Sequence, residues 1–191
     1  MRMVMGILIS CLLVSYAFAK SPEELTGEYY GHLKNENWEK LGNYYSDKAL
    51  EEFRELFGII VEIPDKGDQQ EIVELLFGEK TTVEEIENMS DEDFFNAVMQ
   101  GIYVLIGKVA LMDYDSVDVI GSVPEGEGLV HVVSRCQFNI EITDGDAMEF
   151  APMTMEIMEV LSFEKVKNKW KMLLDPKIRA LAQQIRNAMG L

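Results

Sequence analysis

The sequence predicts an α+β domain: N-terminal helices, then a four-stranded antiparallel sheet, with one extra helix at the C-terminal end. Three observations predict it. From Leu25 to Val109 the apolar residues recur mainly at helical spacing. From Asp115 the period changes to two, the mark of strands with one buried face. Asp144-Gly145 lies between two such runs, and Asp-Gly favours a tight hairpin turn.

The first nineteen residues stand outside this domain. Arg2 is a short positive region, Val4 to Val14 an apolar one, and Ala17-Phe18-Ala19 a small-residue cleavage site, so residues 1–19 read as a signal peptide and 20–191 as the exported domain, periplasmic or secreted. A membrane span needs about 20 uninterrupted apolar residues. Ser10 and Ser15 dilute a shorter run, and no integral span is expected after cleavage. Leu8-Ile9-Ser10-Cys11 also resembles the lipobox of bacterial lipoproteins, so a lipid anchor through Cys11 is the alternative. The apolar Leu12-Leu13-Val14 that would then follow favours cleavage after Ala19.

Ser21 is placed to N-cap the first helix, with Pro22 at its first position and Glu23 and Glu24 at the positive end of its dipole. Leu25, Tyr29 and Leu33 form its apolar stripe. Asn35-Glu36-Asn37 interrupts, the pattern resumes at Trp38, Leu41, Tyr44 and Tyr45, and Ser46-Asp47 starts a helix carrying Leu50, Phe53, Leu56, Phe57 and Ile60 on one face. Pro64 to Gly67 breaks it. Ile72 to Phe77 is helical until Gly78, and Thr82 with Glu85, then Ser90 with Asp93, make capping boxes. The helix after Ser90 carries Phe94, Phe95, Val98, Ile102, Leu105, Ile106 and Val109, enough apolar surface to cross the core. Gly101 and Gly107 offer close packing at some loss of propensity.

In the sheet, Val117, Val119 and Gly121 share one face of the first strand, and Pro124 to Gly128 forms its turn. In the second strand Val130, Val132, Ser134, Cys136, Phe138, Ile140 and Ile142 face one way; His131, Val133, Arg135, Gln137, Asn139 and Glu141 face the other. A third strand runs from about Phe150 to Glu164, and Lys167-Asn168 turns into a fourth at Trp170 to Leu174. Asp175 caps a last helix, with Pro176 first and Ile178, Leu181, Ala182 and Ile185 as its docking face.

The formal net charge is −17, from 34 acidic against 17 basic residues. That argues against electrostatic binding to nucleic acid and attraction to anionic lipid. It accords with solubility, or with a partner or cation selected by acidity. No repeat, low-complexity tract or Gly/Ser/Pro-rich linker divides residues 20–191, so one domain is expected. Loss of Cys11 leaves Cys136 alone, which excludes an intramolecular disulfide. Its place on an alternating strand fits a small buried hydrophobe, with an intermolecular bridge or reactive thiol as alternatives. The methionines Met148, Met153, Met155, Met158 and Met172 fill a core or form an adaptable binding surface.

Two passages, Tyr30 to Leu41 (YGHLKNENWEKL) and Leu161 to Lys171 (LSFEKVKNKWK), resemble the opening and the closing hairpin of the NTF2-like superfamily. The resemblance implies a cone in which a curved sheet wraps helices and leaves a pocket at its wide end. Residues 64 to 110 hold more helix than the minimal fold, and the helix after Asp175 extends past the usual end, where it could plug the pocket.

Some members of that superfamily are enzymes that use a carboxylate, sometimes with a histidine, inside the cone. A tight turn at Asp144-Gly145 would set Val132 opposite Ile157 and Ser134 opposite Met155, placing Glu159 on the apolar face beside Val130. Desolvation there would raise its pKa and suit it to general-base work; a bulge, or a solvated sheet end, accounts for it without chemistry. His131 lies on the opposite face and His32 in a polar stretch. Asp113, Asp115 and Asp118 lack the glycine and distal glutamate of a calcium loop. There is no G-x-S-x-G, phosphate loop or H-E-x-x-H, and two histidines are too few for most zinc sites, so no metal and no cofactor is expected. The expectation is an exported, non-catalytic binding or interaction domain. Ser134, Phe138, Met155 and Glu159 would line a site for a small apolar or amphipathic ligand, with Met158, Val160 and Val133 offered to a protein partner or to a second copy pairing through the sheet. The alternative is an isomerase, dehydratase or hydrolase using Glu159.

Overall fold

A computed structural model describes residues 19–59, 73–74, 76–107, 110–142 and 153–188. The leader, Cys11, the Pro64 to Gly67 break and the Asp144-Gly145 turn lie outside the described residues. The chain forms helices α1 (Pro22–Lys34), α2 (Asp47–Phe57), α3 (Val83–Glu87) and α4 (Asp91–Gly107), strands β1 (Ala110–Glu125), β2 (Leu129–Ile142), β3 (Met153–Val166) and β4 (Lys169–Met172), and a closing helix α5 (Pro176–Ala188). Short 3-10 turns at Trp38–Lys40 and Gly42–Tyr44 join α1 to α2. The sheet is antiparallel in the order β1-β2-β3-β4 and is not closed into a barrel.

Local chemistry sets the helix starts. Ser21 and Glu24 form a reciprocal capping box on α1, Ser46 Oγ accepts from the Ala49 amide at α2, and Thr82 with Glu85 boxes α3. Ser90 Oγ accepts from the Asp93 amide at α4. At α5 the Asp175 carboxylate accepts from the Lys177 amide at 2.7 Å. The helical piece through Phe77 ends at Gly78, whose φ of 92° is the left-handed conformation that a helix C-terminus asks of glycine.

The helices cover one face of the sheet. Helix α1 packs on β1 and β2, α4 on α2 and β1, and α5 on α2. At the centre Phe53 stacks on Phe57 with ring centroids 4.4 Å apart and meets Phe95 at 4.6 Å. The sheet contributes Val132, Cys136, Leu161 and Phe163, all buried. Gly101 lets α4 approach the backbone at Leu76: a Cβ there would lie 2.5 Å from Leu76 Cα, whereas one at Gly107 would meet nothing within 4 Å. Val104 and Leu105 are 46% and 48% exposed, so α4 crosses the core through its first half and then emerges, although Leu105 belongs to the apolar set expected to cross it.

Strand β1 begins at Ala110, earlier than Asp115, and shifts register between Tyr114 and Ser116 and between Val119 and Gly121. Each shift inserts a residue and reverses which side chains face inward. The first breaks the alternation just where the expected strand started. The second puts Ser122, not Gly121, in phase with Val117 and Val119, and the Ser122 hydroxyl bonds Glu23 of α1. The turn is shorter than expected, since Pro124 still pairs with Val130 and only 126–128 form it. Strand β3 starts at Met153, and its register against β2 pairs Ser134 with Glu159, Val132 with Leu161 and Phe138 with Met155. A two-residue turn at Asp144-Gly145 would give other partners; the observed register preserves the facing of every side chain and slides β3 along β2. No helix among the described residues is long and apolar enough to cross a membrane.

Candidate binding cavity

The inner face of the sheet, α1, α4 and the start of α5 enclose a cavity of about 240 Å³. Two helical apolar stripes meet on it. Helix α1 supplies Tyr29, Tyr30 and Leu33, three and four residues apart, and α4 supplies Met99, Ile102, Tyr103 and Ile106 at the same helical spacing. Tyr45 enters from the turn before α2, Trp38 from the first 3-10 turn, and Tyr114 and Leu161 from the sheet. The rings pack against one another: Tyr29 edge-on to Tyr30 at 5.7 Å and to Tyr45 at 6.1 Å, Trp38 to Tyr103 at 4.6 Å, Tyr30 to Tyr114 at 5.9 Å.

These phenols are held neutral. Burial pushes the Tyr29, Tyr30, Tyr45 and Tyr114 hydroxyls well above the ordinary tyrosine value, and the negative charge of Glu159 adds to the shift at Tyr29, Tyr30 and Tyr114. Tyr29 Oη and Tyr45 Oη lie 3.1 Å apart and satisfy each other. Cys136 is buried behind Tyr30, and desolvation raises its thiol. It is a core side chain rather than a reactive one.

One end of the cavity is polar, where Glu159, Asp175 and Lys177 converge. The Glu159 side chain is only 14% exposed, and both its oxygens accept from Lys177 Nζ at 2.7 Å. Its desolvation is thus answered by a fixed cation that the Asp175 cap positions. Abstracting a proton from a bound molecule would require Glu159 to give up that ammonium. Opposite it, Ser134 Oγ is buried with no hydrogen bond of good geometry among the described residues, although the Tyr30 hydroxyl is close enough to feel it. Helix α5 does not plug the cavity; its first turn, with Asp175, Lys177 and Ile178, forms one wall.

Of the four residues singled out from sequence, Glu159 lines the cavity. Ser134 and Phe138 are buried in the sheet's inner face, Phe138 with its ring 4.5 Å from that of Tyr114, and Met155 stands 40% exposed beyond it. The apolar spacing in the sequence places Tyr29, Tyr44 and Tyr45 and assigns no role to Tyr103 or Tyr114; the density of rings between Tyr29 and Tyr45 is the signal that points to an aromatic lining.

No family model matches this chain, and no curated protein matches it. Among solved structures it is similar to the crystal structure of the intermembrane space region of the chloroplast protein ARC6, at 13% identity and a TM-score of 0.30, over 58% of this chain and 94% of that one. Likeness at that level carries no inference about fold or function.

On the outer face of the sheet His131 joins Ser162 Oγ at 2.9 Å and Glu125 at 2.8 Å. A seryl nucleophile also needs free amide donors for an oxyanion. Strand β3 is paired on both sides here, with His131 across from Ser162 and the Leu173 amide bonded to the Ser162 carbonyl, so the arrangement is a cross-strand polar contact. Among the described residues no group of three or more His, Cys, Asp or Glu side chains is placed to hold a metal ion.

Proposed function

We propose that this chain is an exported, NTF2-like binding domain that holds a small amphipathic molecule without transforming it. The observation that carries the reading is the aromatic cavity with its single polar end, the combination expected of a small-molecule site: apolar walls and a few placed polar groups. The ligand's apolar body lies among the tyrosine rings. A hydrogen-bonding end meets Lys177 and Asp175. Glu159 serves as the anchor of Lys177, since each of its oxygens accepts from that ammonium.

The test is thermal unfolding of the protein with a panel of small neutral aromatic and aliphatic alcohols and amides, alongside Ile102→Trp, which fills the cavity from α4. A bound compound at a hundred times its Kd stabilises by about 2.7 kcal/mol. At least one compound raises the Tm of the wild type and leaves the filled variant unmoved. A panel without any shift, or equal shifts in both proteins, overturns the reading.

A second reading, an isomerase, dehydratase or hydrolase using Glu159, draws on the same convergence of carboxylates and phenols. Its test is whether Glu159→Gln abolishes a turnover that the wild type shows on a ligand found by the panel. As for partners, Ile120, Val123, Met158 and Val160 on the sheet's outer surface are about half exposed and offer a surface to a second protein or a second copy.

A further inference from the structure

A second and larger concavity lies on the other side of α1, about 860 Å³, bounded by the N-terminal residues, α1, the 3-10 turns and the β3–β4 hairpin. Its charge is opposite to that of the molecule. Five of the chain's 17 Lys and Arg residues line it, Lys20, Lys40, Lys167, Lys169 and Lys171, against one of its 34 acids, Glu28. Glu28 is engaged by Lys20 at 2.6 Å, and Lys171 donates to the Asn43 carbonyl at 2.6 Å. Lys40, Lys167 and Lys169 have no bonded partner among the described residues, although acids outnumber bases twofold in the chain. The floor is apolar, formed by Leu25, Tyr44 and Trp170. Removal of residues 1–19 would add the Lys20 α-amino group to the same trough.

We propose that this trough binds an extended acidic peptide segment of a partner protein, with carboxylates at every second residue. The lysines reach it from three separate stretches of chain and line a trough of about 860 Å³, far larger than a compact anion fills. Lys169 and Lys171 alternate along β4, about 7 Å apart at the strand rise. An extended peptide repeats its alternate side chains at that same interval. The edge of β4 is already bridged by Tyr45 and Ser46 at Met172, so such a segment lies over the Lys169 to Lys171 stretch of that four-residue strand, where the two lysines stand. The net −17 of the chain selects among polyanions: a short segment whose few carboxylates match the trough stays within it, while a long polyanion also meets the acidic surface around it.

The experiment is fluorescence anisotropy on the full chain with a labelled peptide carrying four glutamates separated by alanines, compared with one whose four glutamates are contiguous. The alternating peptide binds more tightly, and its affinity falls as salt rises from about 0.05 to about 0.5 M. Lys167→Glu with Lys169→Glu weakens it roughly tenfold or more. Lys48→Glu with Lys80→Glu, which changes the net charge equally at exposed positions outside the trough, leaves affinity within about twofold. Circular dichroism checks that both variants are folded. Equal losses in the two double variants, no preference for the alternating peptide, or tighter binding of a heparin oligosaccharide through the same lysines overturns the proposal.

Discussion

Raising the pH above 10 removes the protein's tyrosine core by ionisation, and the size of the effect follows from burial. A tyrosine in an unfolded chain titrates near 10. Burial holds the Tyr29, Tyr30 and Tyr45 hydroxyls above that value in the folded state, and Tyr114, less deeply buried, follows them. Because the folded values are raised, the stabilisation is fully present below pH 10, where both states keep their protons. It declines above it, as the unfolded chain sheds protons that the folded one retains. Each such group costs about 1.4 kcal/mol per pH unit. The three buried phenols and Tyr114 together remove about 4–6 kcal/mol per unit. A domain of ordinary stability, about 5–15 kcal/mol, is exhausted within roughly one to four units. Tyrosinate absorbance and far-UV circular dichroism, followed together from pH 8 to 13, are the assay. The buried phenols ionise in one cooperative step that coincides with loss of helical signal, after the more exposed Tyr44 and Tyr103. Smooth ionisation of every tyrosine near pH 10 with the circular dichroism unchanged refutes the buried cluster.

Gly101→Ala drives a methyl group into the Leu76 backbone and costs about 1–3 kcal/mol in urea unfolding, while Gly107→Ala, which meets nothing, is neutral or stabilising. Phe53→Ala, at the centre of the ring stack, costs about 3–5 kcal/mol by the same measurement. Ser21→Ala removes the α1 capping box and lowers stability by about 1 kcal/mol, with little change in m-value.

What was legible in the sequence was what short-range chemistry decides. The caps at Ser21, Ser46, Thr82 and Asp175, the stop at Gly78 and the inward set of β2 from Val132 to Phe138 follow from neighbouring residues and appear in the structure as read. What was not legible depends on distant partners. The two register shifts of β1 have no fixed residue signature and scramble the alternation that would reveal the strand's start. The β2–β3 register was tied to a turn motif, yet cross-strand packing sets it; Glu159 kept its face because the slide is by an even number of residues. The cavity walls come from α1, α4, the sheet and the start of α5, and the apolar stripe of each helix looks complete alone. The basic trough is invisible to net charge, because Lys20, Lys40 and Lys167 are far apart in a chain whose total is strongly negative.

The central claim is that the tyrosine-lined cavity is a binding site, and native mass spectrometry of the protein purified from its source tests it most directly. The account predicts a small-molecule adduct on the wild type that is absent from Ile102→Trp expressed in the same cells. Bare protein mass for both contradicts it.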